Sequence, residues 1–150
     1  MTTAYDVPAD KLIEKLAEKF ADIEAVKAPE WAPFVRTGIH TENPPVNEDW
    51  WEIRVAAVLR KVYMNGPVGT ERLRAEFGGA RDRGSKPNKA VRGSGSIVRN
   101  ALQQLEKAGF IKTIKGTGRQ IAPAGQSFVD NAAHEVKQKL VESIPGLAKY

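Results

Sequence analysis

The stretch from Arg92 to Phe110, RGSGSIVRNALQQLEKAGF, limits what this chain can fold into more than any other. At 100° per residue, Ile97, Val98, Ala101, Leu102, Leu105 and Ala108 fall within an arc of about 140°, and polar side chains fill the rest of the wheel. Ser94 or Ser96 supplies an N-cap and Gly109 a stop. A helix of this kind is stable mainly through what covers its apolar arc. Its outward face carries Arg99, Asn100, Gln103 and Gln104, which exchange hydrogen bonds in planar geometry, so a second surface has to be accounted for.

The flanks of that helix narrow the choice. Downstream, Phe110 to Ile114 and Arg119 to Ala122 are short strand candidates around Lys115, Gly116, Thr117 and Gly118, which suits a hairpin, although Ile111 and Ile114 would face opposite sides. Upstream, GPVGTERLRAEFGG predicts a turn and a short helix from about Thr70 to Phe77, with Val68, Leu73 and Phe77 inward. A longer helix is predicted from Asn47, its cap, to about Tyr63, where Asn65, Gly66 and Pro67 end it. Trp51, Val55, Val58, Leu59 and Val62 form its core stripe. Trp50, Arg54, Ala57 and Lys61 form a second stripe, either a rim tryptophan covered by basic stems or a nucleic-acid contact.

Three helices followed by a basic hairpin are the order of a winged helix-turn-helix, in which the helices share a core while the third helix and the wing present donors on one side. Two more helices are predicted. Leu12, Ile13, Leu16, Ala17, Phe20 and Ile23 repeat at helical spacing, with Asp6 as cap and Pro8 in the first turn, and Phe128, Val129, Ala132, Ala133, Val136 and Leu140 mark a last helix over about Pro123 to Val141. Lys27 to Val46 reads as a long surface connection pinned by Trp31 and Phe34. The fold class expected is therefore mainly α: a winged-helix core with added N- and C-terminal helices, one domain over residues 1–150, residues 1–46 packing on the core.

Charge distribution points to a partner. From Arg81 to Arg119 ten basic residues face only Asp82 and Glu106, a net +8 within a chain whose total is +5, so the remainder is −3. Such a concentration is the footprint of a nucleic-acid-binding face, against the simpler reading of a solvated basic loop. The loop ARDRGSKPNKAVRGSG has few apolar anchors, and Arg81 to Gly95 is expected to be mobile alone and to order on RNA.

Other classes find less support. No apolar run approaches a bilayer span and the N-terminus lacks a charged start followed by an apolar segment, so the chain reads as soluble and unexported, with no membrane partner. Cysteine is absent, and His40 and His134 have no metal-ligand spacing to a second candidate. Glu48 and Asp49 are explained by helix capping, and GSGS and GTG lack the rest of a phosphate-binding loop. No catalytic residue, metal, cofactor or small-molecule substrate is expected.

The segments VPADKLIEKLA, PEWAPFVRTGIHTE, DWWEIRVAAVLRKVYMNGPVG, FGGARDRG, PNKAVRGSGSIVRNALQQLEKAGF and GRQIAPAGQSFVD, spanning about Tyr5 to Leu140, resemble the small-subunit ribosomal protein family nineteen-e of archaea and eukaryotes. Pro87, Ser94, Ile97, Arg99, Ala101, Leu102, Gln103, Leu105 and Glu106 stand at the positions of the family signature. The compact chain and its hairpin look archaeal, while Ala80 and Asp82 depart from the polar or basic residues usual there. The resemblance implies a winged-helix protein of the small-subunit head in the cytoplasmic ribosome. It also implies binding to ribosomal RNA beside neighbouring ribosomal proteins, and a role in subunit maturation. It further implies that Trp50, Arg54, Arg60, Arg92, Gly93 and Arg99 belong to the RNA-facing surface or its support.

The RNA-binding residues expected are Arg54, Arg60, Lys61, Arg81, Arg83, Lys86, Lys89, Arg92, Gly93, Arg99, Lys112, Lys115 and Arg119. The rival reading is a winged-helix DNA-binding regulator in which Asn100, Gln103 and Gln104 contact adenine and Arg99 guanine. Against it, no dimerisation element for paired half-sites is visible.

Overall fold

Two helices carry the centre of the molecule. In the computed structural model, which describes residues 1–149, α2 (Trp50–Asn65) packs on α4 (Gly95–Lys107), burying Trp51, Val55, Val58, Leu59 and Val62 against Ile97, Val98, Ala101, Leu102 and Leu105. The predicted arc of α4 is the buried face, Ser94 is the N-cap, and its hydroxyl accepts from the Ile97 amide. On α2 lies α1 (Ala9–Phe20), which adds Leu12, Leu16, Ala17 and Phe20, and on α1 in turn packs α5 (Pro123–Ser143), which adds Val129, Ala132, Ala133 and Val136. Phe110 stacks on Phe128 at 4.5 Å between ring centroids, with Phe20 tilted against both. Lys15 and Lys19 of α1 reach Glu135 of α5, at 3.4 and 2.6 Å.

The fold is thus mostly helical, with two small antiparallel hairpins. After α2 come α3 (Thr70–Glu76), β1 (Gly79–Arg83) and β2 (Lys86–Val91); after α4 come β3 (Ile111–Ile114) and β4 (Gly118–Ile121). Val68, just before α3, exchanges backbone hydrogen bonds with Arg119 of β4, both 3.0 Å, which ties the second hairpin to the helices. Ile111 is buried and Ile114 half-buried, on opposite faces as the spacing implied. No helix among the described residues is long and apolar enough to cross a membrane.

Several expectations need correction. Residues 79–91 are a paired hairpin rather than an irregular loop: its ladder is made by backbone groups, which leave no apolar period to read. α2 begins at Trp50 with Asp49 in the cap position, whereas the Asn47 carbonyl accepts from the Trp50 amide in a turn. The start is set by Trp50 and Trp51 entering the core edge to face, 5.6 Å apart. Asp6 caps nothing on α1; its carboxylate takes the amide and hydroxyl of Thr3, and Pro8 precedes the helix. Ile23 lies beyond the helix end. In the connection, Trp31 packs edge-on to Trp51 at 5.8 Å and Ala32 is buried, but Phe34, at the end of a 3-10 turn (Ala32–Phe34), stands in solvent.

Candidate nucleic-acid interface

The sequence-predicted cations divide into two groups according to what surrounds them. Arg81, Arg83, Lys86 and Lys89 lie on the first hairpin, every residue of which from 80 to 90 is exposed. The register sets Arg81 opposite Lys89 and Arg83 opposite Lys86, with an irregularity between Arg81 and Arg83. Like charges placed directly across an antiparallel pair repel. The single acid there, Asp82, turns inward to accept from the Gly84 amide at 2.9 Å, and Gly84 takes φ 71° to close the turn. Arg99 is exposed in the first turns of α4, and Lys112 and Lys115 are exposed on the second hairpin.

The other predicted residues are built into the scaffold. Arg54 sits over the Phe77 ring at 4.7 Å, and burial lowers its pKa from the ordinary guanidinium value. Trp50, from the same stripe, is buried against Trp51. Arg60 is half-buried with an unpartnered Nε, and Lys61 pairs with Glu76 at 2.9 Å. Arg119 lies 3.8 Å from Glu106 without a hydrogen bond from its Nε, while Glu106 also takes the Thr113 hydroxyl. Arg92 pairs with Glu71, which also holds Arg74 at 2.8 Å; the bonds to Arg74 and then Arg92 draw the Glu71 carboxyl below its usual pKa.

The neck of the first hairpin explains why it projects where it does. Arg74 Nε donates to the Gly93 carbonyl at 3.0 Å and the Gly93 amide returns a bond to the Arg74 carbonyl at 2.9 Å. Gly93 also bridges Gly38 of the connection. A side chain on Gly78 would run into the Val91 carbonyl oxygen, so the two strands can meet the core this closely only with glycine there. The His40 ring fits beside Gly38 and Gly79. The roots of the two hairpins therefore lie at the two ends of α4, and thirteen residues of helix separate them by about 20 Å.

The outward face of α4 is less available than its composition suggests. Asn100 folds back on the Ser96 carbonyl at 2.7 Å. Gln104 accepts from the Trp51 indole N–H at 2.9 Å and donates to the Lys27 carbonyl at 2.7 Å. These two amides, assigned to adenine in the regulator reading, are internal braces; Arg99 and Gln103 remain exposed. The signal for the Gln104 role was a glutamine at the very edge of the buried arc, opposite a tryptophan that needs an acceptor.

Helical core, cationic hairpins and braced neck define a small basic scaffold protein. Residues 3–139 match the family model for ribosomal protein S19e. The chain is 44% identical over its whole length to the small ribosomal subunit protein eS19 of Aeropyrum pernix and 42% identical to that of Haloarcula marismortui, each match covering 99% of the relative. It is also 34% identical to the small ribosomal subunit protein eS19G of Ascaris suum, over 91% of this chain and 93% of that one. The chain belongs to the ribosomal protein S19e family, as the sequence resemblance implied. It is therefore a ribosomal protein of the cytoplasmic ribosome, a structural protein and not an enzyme.

Proposed function

We propose that the chain is a structural component of the small ribosomal subunit, seated in its head as one domain, where it binds ribosomal RNA and supports maturation of the subunit. The observation that carries the RNA-binding part is the first hairpin: Arg81 faces Lys89 and Arg83 faces Lys86, all four exposed and without an acidic partner. That arrangement is unfavourable in isolation and becomes favourable when phosphates lie over it. The chain's eS19 relatives, named as small-subunit proteins, support the location.

In this reading Arg81, Arg83, Lys86, Lys89, Arg99, Lys112 and Lys115 meet the RNA directly, with Arg92 and Gly93 at the neck beside them. Arg54, Arg60, Lys61 and Arg119 hold the surface that presents them. The order of α2, α3, α4, β3 and β4, with Val68 bridged to β4, supports a winged-helix core. The major groove of A-form RNA is too narrow to admit α4, so contacts run to phosphates and 2′-hydroxyls. The free hairpin opens readily and is held closed by the RNA.

Filter binding of the full chain to small-subunit ribosomal RNA, with duplex DNA as competitor, tests this. With about five phosphates neutralised, the slope of log affinity against log salt is on the order of −3 to −4.5. Replacing Arg81, Arg83, Lys86 and Lys89 by alanine is expected to lower affinity at least about tenfold and to flatten that slope. Retention of a particular DNA duplex, undiminished by the RNA, would overturn the proposal in favour of a regulator.

A further inference from the structure

Phe34 is anomalous among the phenylalanines of this protein. Phe20, Phe77, Phe110 and Phe128 all pack in or against the core, whereas Phe34 is 81% exposed. A phenyl ring left in water forgoes the stabilisation that burial gives. The backbone beneath it is nonetheless held: the Ala32 amide bonds to the Pro29 carbonyl at 3.0 Å, the Phe34 amide to the Trp31 carbonyl at 3.1 Å, and Trp31 packs on Trp51.

The ring lines a cleft of about 450 Å³, together with the half-exposed Ile39 and three arginines, Arg36, Arg74 and Arg92. Ser94, the N-cap of the thirteen-residue α4, also lines it, which brings the positive end of that helix to the cleft. Among the described residues, no acidic side chain lines it. Glu71, which pairs with Arg74 and Arg92, is a single negative charge among three guanidinium groups. Arg36 is oriented by the Thr41 carbonyl at 3.1 Å and Arg74 by the Gly93 carbonyl, and each guanidinium keeps further N–H donors free.

An exposed aromatic ring on a held backbone, among planar cations, matches one occupant well. An unpaired nucleotide offers a base to stack on the ring and a phosphate to the guanidinium groups. Bases stacked within a duplex offer no free face, and an apolar protein segment would leave three guanidinium groups balanced by the one carboxylate of Glu71. We propose that this cleft is a stacking site for an unpaired nucleotide of RNA, its base on Phe34 and its phosphate among Arg36, Arg74 and Arg92. The proposal rests on the RNA-binding reading above and adds to it the single-stranded character of the contact and its place.

The test uses the full chain with a uridine decamer carrying one 5-iodouridine, alongside the small-subunit ribosomal RNA. Irradiation is expected to crosslink the decamer to the peptide containing Phe34. Phe34→Ala is expected to weaken decamer binding about five- to a hundredfold without changing the salt slope, while Phe34→Tyr retains it. Because the ring is exposed, Phe34→Ala should keep the wild-type unfolding temperature, which separates lost stacking from lost structure. Wild-type decamer affinity in Phe34→Ala, or crosslinks only elsewhere, would overturn the stacking site while leaving the general reading intact if the hairpin variant still loses the ribosomal RNA. Binding of the ribosomal RNA but not the decamer would overturn it in the same way. Phe34→Ala that keeps RNA affinity but no longer retains a neighbouring small-subunit protein would assign the cleft to a protein. If the wild-type chain bound neither RNA, both proposals would fall together.

Discussion

Gln104 sits on the polar arc of α4, yet its amide joins three segments: the indole of Trp51 in α2, the Lys27 carbonyl in the connection, and α4 itself. Trp51 is fully buried, so removing its acceptor leaves a donor with no partner. Gln104→Leu is expected to cost about 1 to 3 kcal/mol in urea unfolding, whereas Gln103→Leu, one exposed residue away, should change stability by no more than about 0.5 kcal/mol. Tyr63 makes a similar tie between α2 and α5, donating its hydroxyl to Asp130 at 2.8 Å. Burial first, and Asp130 second, push its phenol up to about 12. The folded value is raised, so the stabilisation is whole below the unfolded value of about 10 and is lost as pH rises through the folded one. Phenolate absorbance should therefore show one tyrosine titrating late, with stability falling over that window, and Tyr63→Phe should remove both effects.

At the scale of elements, α4 and the first hairpin were legible to opposite degrees. The apolar arc, Ser94 cap and Gly109 stop are local signals, and the helix formed where they placed it. The hairpin over residues 79–91 has no apolar alternation, because neither face is covered; its pairing depends on the Gly84 turn and on the close approach at Gly78. Gly78→Ala should force Val91 away and open the neck, costing about 1 to 3 kcal/mol. Thermal unfolding gives the size, and amide exchange in β1 and β2 should accelerate more than in α2. The candidate cations were legible by type but not by availability: the same formal charge is spread over Phe77 in Arg54, paired in Lys61, and free in Lys86.

For the whole molecule, one hydrophobic cluster draws on all five helices and on Ile111, whereas the first hairpin adds no buried residue to it. The protein is a stable body with a charged appendage, so replacing residues 80–90 by a short Gly-Ser link should change unfolding free energy by no more than about 0.5 kcal/mol. The same variant should lose ribosomal RNA affinity at least about tenfold. Unfolding in urea and filter binding would read the two effects separately, and a truncated chain that failed to fold would contradict the division. By itself the sequence determined the helices, the second hairpin, the membership in the family and the span in which positive charge collects. Each of these is written in local periodicity, caps, turns and residue types. Only the tertiary structure decided that Gln104 and Asn100 are braces, that Trp50 and Arg54 are covered, and that Phe34 is left in water beside three arginines. Whether a side chain is free depends on neighbours far away in the chain: Lys27 for Gln104, Phe77 for Arg54, Glu76 for Lys61. Those distances are set by packing, which no single stretch of sequence contains.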